Sequence, residues 1–304
     1  MSMRDTGMPR EDAKGDFARE RRRRALGQVV NRLRAEPSDV SEILPFEEVV
    51  AALGRVSQRD LGVQTIPLDS IVGTVDRHTR DFDRAFRPAT TGVRGRWEGI
   101  AAARRRGQSM PPIDVLRVGE LHFVQDGHHR VSVARAQGET VIDARVVEVR
   151  TAIGAGRDLL MSDLPLKAHE RVFNERVPLP AAQRARIAFK DEWRYAMLAN
   201  LVESWGFRAS HERGHLLSRE EMAVAWFREE YEPIARTVME ADIGGPGNES
   251  ERYLRIALLR FLLLQTHDWS DEISARLLGE VADPKASVSA KDDTMVNWIL
   301  GEMS

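Results

Sequence analysis

Strand-forming runs occupy one window of this chain, Gly62 to Arg150, and helical patterns fill the sequence on both sides of it. Within the window "VQTIPL", "IDVLRV", "LHFVQ" and "TVIDARVVEV" are rich in β-branched residues and bounded by turn residues, as short strands are. Only Gly119 and Glu120 separate the second run from the third, which is hairpin spacing. Ahead of the hairpin, "GRWEGIAAARRRGQ" reads as a helix closed by Gly107, and "SMPPI" forces an extended approach to the strand. The expectation is an α+β fold: a small mixed-sheet domain with an N-terminal helical arm and a C-terminal all-α domain.

The flanks supply the helices. "ARERRRRALGQVVNRLRAE" sets Leu26, Val29, Val30 and Leu33 at spacings of three and four, one apolar stripe on a basic helix. "PFEEVVAALGRV" gives a second amphipathic helix ended near Gly54. Beyond Asp163, "AQRARIAFKDEWRYAMLANLVESWG", "SREEMAVAWFREEYEPIARTVMEA" and "ESERYLRIALLRFLLLQTHD" read as core helices, the second opened by the capping-box pair Ser218 and Glu221. A last helix is expected to end in "MVNWIL". The spans are then a disordered tail over 1–15, a helical arm over 16–60, a sheet domain over 61–152 and a helical domain over 163–304.

Composition narrows the functions. No apolar run approaches the roughly 18 residues of a membrane span, and no hydrophobic segment follows the charged N-terminus, so a cytoplasmic protein without a membrane partner is expected. The absence of cysteine excludes disulfides, thiolate zinc ligands and a cysteine nucleophile. A net charge of −2 gives no overall case for nucleic acid. Arg21, Arg22, Arg23 and Arg24 form the one dense basic run, either a weak phosphate-contacting patch or a solvated helix face.

The chemistry concentrates in "FVQDGHHRVSVARAQG", residues 123 to 138. A glycine where a strand turns into a helix permits positive φ and close approach of a ligand to the backbone. The free amides and dipole of the helix start favour an anion, Arg130 adds a guanidinium, and His128 and His129 offer donors or proton-transfer groups. The alternative is structural: Asp126 caps the helix and the histidines are polar residues of its first turn. Adjacent histidines do not share a helix face, which weakens a zinc reading, and no G-x-S-x-G elbow is present. The long polar segment from Gly73 to Gly92 offers Arg77, His78, Arg80 and Asp81, either to this turn or to solvent.

From "VQTIPLDSI" through "PPIDVLRVGELHFVQDGHHRVSVARAQGETVIDARVVEV" the chain resembles the N-terminal domain of the ParB family and the wider ParB/sulfiredoxin superfamily, over about ninety residues. In that superfamily the glycine-led turn binds the phosphates of CTP or ATP, and its Asp-Gly-His-His-Arg version is similar to free-serine kinases. The resemblance implies a nucleotide (ATP/ADP or CTP, with Mg²⁺) held by Gly127, His128, His129, Arg130 and Arg80, with Asp126, His129 and Asp81 as catalytic candidates. A phosphotransferase acting on a small molecule, or a nucleotide hydrolase, is one implied function. A non-catalytic nucleotide switch on homodimerisation or DNA association is the other, with an inactive scaffold as a third. ParB partitioning proteins carry a Gly-Glu-Arg-Arg type of motif where this chain has His128. Sulfiredoxin activity is excluded by the lack of cysteine, and no convincing helix-turn-helix follows the domain.

Overall fold

A computed structural model describes residues 6–35, 38–75 and 80–264, with Trp269, Glu272 and Ile273. It divides the chain into two compact units, 1–171 and 172–304. The expected arm is not separate from the sheet domain: both lie in the first unit.

That unit is built on a six-stranded mixed sheet: β1 (Leu44–Pro45), β2 (Arg55–Pro67), β3 (Ile71–Thr74), β4 (Ile113–Val118), β5 (Leu121–Asp126) and β6 (Val141–Thr151), in the order β1-β3-β5-β4-β6-β2. The β4–β5 hairpin is antiparallel, with Val118 opposite Leu121 around Gly119 and Glu120. β3 runs parallel to β5, and β4 parallel to β6. Two strands depart from expectation. β2 begins at Arg55, inside the segment assigned to the arm, and β3 occupies the start of the supposed loop at Gly73. β3 has four residues, too few for a period to register in the sequence. Gly73 is required there, because a Cβ would collide with the Phe123 ring and the Leu44 carbonyl.

Alternation along the strands divides the core into two layers. Leu121 and Phe123 of β5 and Val149 of β6 pack on one face with α2 (Phe46–Leu53). Ile113 and Val115 of β4, Val124 of β5, and Ala144 and Val146 of β6 face the other way, against Val131 and Ala134 of α4 (His128–Ala136). Over α4 lie α1 (Pro9–Leu33) and α3 (Arg94–Arg105), with Ala13, Phe17, Trp97, Ala101 and Val133 in a third cluster. Trp97 is fully buried and its Nε1 donates to Ser132 Oγ at 2.8 Å, which locks α3 to α4.

Helix α1 starts at Pro9 and not near Asp16, so residues 9–15 are not a tail. It docks by its first half. Asp16 pairs with Arg105 at 2.5 Å, whereas the expected stripe of Leu26, Val29, Val30 and Leu33 is exposed. Periodicity locates an apolar face, but burial went to the residues that Trp97 and Arg105 can reach. Of the basic run, Arg23 pairs with Glu20 at 2.7 Å and Arg24 approaches Asp83 at 4.0 Å, while Arg21 and Arg22 are exposed.

The second unit is helical through its described residues. α5 (Leu164–Arg176) bridges the boundary between the units, and α6 (Ala181–Arg184), α7 (Glu192–Arg213), α8 (Arg219–Trp226), α9 (Glu232–Glu240) and α10 (Glu249–Leu264) follow. The run expected as one helix from Ala182 breaks after α6, and Asp191 caps the start of α7 by accepting from the Trp193 amide. The Ser218–Glu221 capping box opens α8 as expected. A π-helical turn over Phe227–Tyr231 joins α8 to α9 and buries Glu230 beside Tyr253. "MVNWIL" lies outside the described residues. Among them, no helix is long and apolar enough to cross a membrane.

Candidate functional site

The turn between β5 and α4 takes the conformation that its glycine foreshadows. Gly127 has φ 106° and ψ 18°, and a Cβ there would run into the Ile113 side chain. Only glycine brings the strand end this close to the start of β4 while α4 begins at the next residue. Around the turn lies a cavity of about 220 Å³ lined by Asp81, Phe82, Arg96, Ile100 and residues 125–130.

The two histidines divide as adjacent helix positions must, about 100° apart around the axis. His128 turns inward: its Nε2 lies 2.7 Å from Thr74 Oγ1, and its ring stacks with Phe82 and Phe86 at centroid distances of 6.4 and 6.2 Å. One ring nitrogen is thus held by β3, which makes His128 a wall of the cavity and not the phosphate ligand of the sequence expectation. His129 is the chemically available member. Its Nδ1 is buried and has no hydrogen-bond partner, and the edge of its ring meets Phe82 at 5.4 Å. Burial, helped by the nearby Arg96 and His128, pushes its pKa down to about 4 against an opposing pull from Asp81. The ring is neutral at pH 7.

Arg130 departs furthest from expectation. Its Nη1 donates to the carbonyls of Pro111 and Pro112, each at 2.7 Å, and its Nη2 pairs with Asp126. The guanidinium therefore fastens the approach to β4 onto the first turn of α4, and its side chain is only 12% exposed. It is a structural clamp first. Arg130→Met is expected to cost about 1.5 to 3 kcal/mol of stability, the range for lost hydrogen bonds to a charged group. Urea denaturation at pH 7 checks this, and a variant as stable as the parent would mean that water replaces the clamp at no cost.

Arg80 lies elsewhere too. It lines a neighbouring cavity of about 620 Å³ with Arg24, Glu42, Glu48 and Asp83, and Phe82 forms part of both walls. Asp81 does reach the turn, half-buried and accepting from Thr90 Oγ1 at 3.1 Å. Asp126 is largely exposed at the rim. Arg77 and His78 lie outside the described residues. The cation that sequence reasoning missed is Arg96, exposed in the first turns of α3 and placed at the cavity by the buried Trp97 beside it. An arginine in a helix carrying six arginines within Arg94–Arg106 gives no signal of its own; only the packing of α3 on α4 singles it out.

The site thus offers the amides at the start of α4, one mobile guanidinium, one neutral imidazole with a free nitrogen, and two carboxylates. That set fits a phosphate group in a pocket too small for a whole nucleotide, since small-molecule pockets typically run from about 300 Å³ upward. Among the described residues, no three His, Asp or Glu side chains converge as a metal site. No protein-family model matches the chain, and no curated protein matches it either.

Proposed function

We propose that the first unit is a ParB/sulfiredoxin-like nucleotide-binding domain that receives the phosphate tail of ATP, ADP or CTP at the Gly127 turn and transfers or hydrolyses its terminal phosphoryl group. The observation that carries this reading is the buried, unpartnered Nδ1 of His129 in a cavity that also holds Arg96 and the opening amides of α4. Phosphoryl transfer asks for positioning and charge stabilisation more than for covalent chemistry. Arg96 and the amides would neutralise the phosphate oxygens, His129 would orient the acceptor hydroxyl or water, and Arg130 would hold the turn in shape. Mg²⁺, which typically binds through one or two carboxylates plus phosphate oxygens, would be held by Asp81 or Asp126 and would neutralise charge on the phosphates. The base and ribose would lie outside the small cavity.

A doubly charged phosphate beside His129 raises that histidine's pKa, because the nearby anion favours the imidazolium. Nucleotide binding near pH 5 is therefore expected to take up a proton, read by calorimetry in buffers of different ionisation heat. Arg96→Ala should weaken binding about tenfold, the loss of one charged contact. His129→Ala should abolish proton uptake and lower phosphate release more than affinity. The reading fails if ATP, ADP, CTP and tripolyphosphate all leave the parent unliganded at millimolar concentration. Binding without phosphate release favours the non-catalytic switch.

A further inference from the structure

At the opposite end of α4 lies a larger cavity, about 840 Å³, bounded by the residues that lead from β2 into β3, by the segment Arg84–Arg87 and by the start of β6. We infer that this cavity is a second binding site, for a small organic anion with an apolar body and one acidic head, and that Arg84 is its anion anchor.

Arg84 is the arginine of this cavity whose charge is least compensated. Arg135 donates to the carbonyls of Leu68, Ile71 and Arg84 and lies over the Phe86 ring at 5.2 Å. Arg87 pairs with Asp83 at 2.9 Å, and Arg157 reaches both Asp69 and Glu120 at 3.3 Å. Arg84, by contrast, makes one hydrogen bond, from Nη2 to the Arg157 carbonyl at 3.0 Å, and its Nη1 is buried with no partner. Asp39, Asp158 and Asp163 act on it only as a background field, and burial outweighs them, lowering its pKa. A buried guanidinium nitrogen without an acceptor is costly in a folded protein, and an anionic oxygen relieves it.

The rest of the cavity defines the ligand's other end. Pro67, Leu68, Val72 and Val141 give an apolar wall, with Leu68 and Val72 continuous with the two layers of the core. The volume falls within the range that holds a small molecule, roughly 300 to 1,000 Å³. Backbone strain points to the same segment. Phe86 is almost wholly buried at φ +57°, a left-handed conformation that costs a bulky residue of order 1 to 3 kcal/mol and recurs at ligand clamps. Turning Phe86 into the core leaves Arg84 and Ala85 on one side of it and Arg87 on the other, and all three line the cavity.

Naphthalene-2-sulfonate is a suitable probe, having one anionic head and a flat apolar body, with sodium sulfate as the head alone. Titration calorimetry on the full chain should show the sulfonate binding far better than sulfate. Hydrogen exchange should show protection over residues 67–72 and 139–141. Arg84→Met should weaken binding about tenfold to a hundredfold, and Val141→Glu, at a half-exposed rim position, should repel the probe without touching the core. If Arg84→Met does not fold, Val141→Glu decides the question alone. The inference is overturned if the parent does not bind the probe, if folded variants bind it like the parent, or if protection falls on residues 125–130 instead.

Discussion

Acidification from pH 7 to pH 4 is expected to remove about 3 kcal/mol of folding free energy through His122 alone. This histidine is buried in β5 with its Nδ1 2.9 Å from Ser70 Oγ, and the Ser70 hydroxyl donates in turn to the Pro67 carbonyl at 2.6 Å. With the serine proton committed to Pro67, the imidazole carries its hydrogen on Nδ1 and donates to the serine oxygen. Adding a second proton would place a cation in the core near Arg117 and Arg157, so burial first and those arginines second push the pKa down to about 4. The unfolded chain keeps the ordinary value of about 6.5. Between those two values the unfolded state binds a proton that the folded state refuses, so stability is whole above about pH 6.5 and drains away as the pH falls. His129, also held near 4, pulls in the same direction. Urea denaturation of the parent and of His122→Gln at pH 7, 5.5 and 4 measures the effect. The parent should lose stability more steeply, and parallel slopes would show that His122 is protonated equally in both states.

The second large effect is expected from the smallest change. Gly127→Ala should destabilise the first unit by about 3 kcal/mol, the sum of a left-handed φ forced on an L-residue and an overpacked contact. The contact is with Ile113, which is fully buried at the start of β4 and has little freedom to yield. Arg130 stands on the other side of the same position, so a shift of the turn away from Ile113 strains the clamp on Pro111 and Pro112. Ligand binding and stability should fall together in this variant. Circular dichroism melts beside nucleotide titrations would reveal it, and a stable variant that still fails to bind would mean that the glycine serves ligand approach alone.

Sequence reasoning placed the turn correctly because the turn is local: a strand, a glycine and a helix start all fall within fifteen residues. It could not apportion duties within the turn, because these are set by distant chain. The carbonyls that engage Arg130 lie 18 and 19 residues earlier, and the hydroxyl that holds His128 is 54 residues away. Arg96 was invisible for a related reason, since its usefulness depends on Trp97 seating α3 against α4. β1, two residues long, leaves no pattern, and β2 begins in "RVSQRDLG", where polar residues mark an exposed edge strand and mimic a loop. The exposed half of α1 shows the converse. Its apolar stripe is real in the sequence, but its burial depended on a partner surface that the rest of the first unit gives to Phe17 and Ala13 instead.

The π-helical turn at Phe227–Tyr231 has a consequence for how the second unit tolerates change in chain length. One residue more than a regular turn requires is accommodated there, so the inward faces of α8, with Met222 and Trp226, and of α9, with Ala235 and Val238, do not share one helical phase. Deleting a single residue from this turn would restore regular hydrogen bonding locally yet rotate everything after it by about 100°. Ala235 and Val238 would then leave the core, and charged neighbours would enter it. Elsewhere in a helix a lost residue is absorbed by the nearest loop; here the irregularity works as a splice between two rigid rods, and the junction, not either rod, sets which side of the second one is apolar.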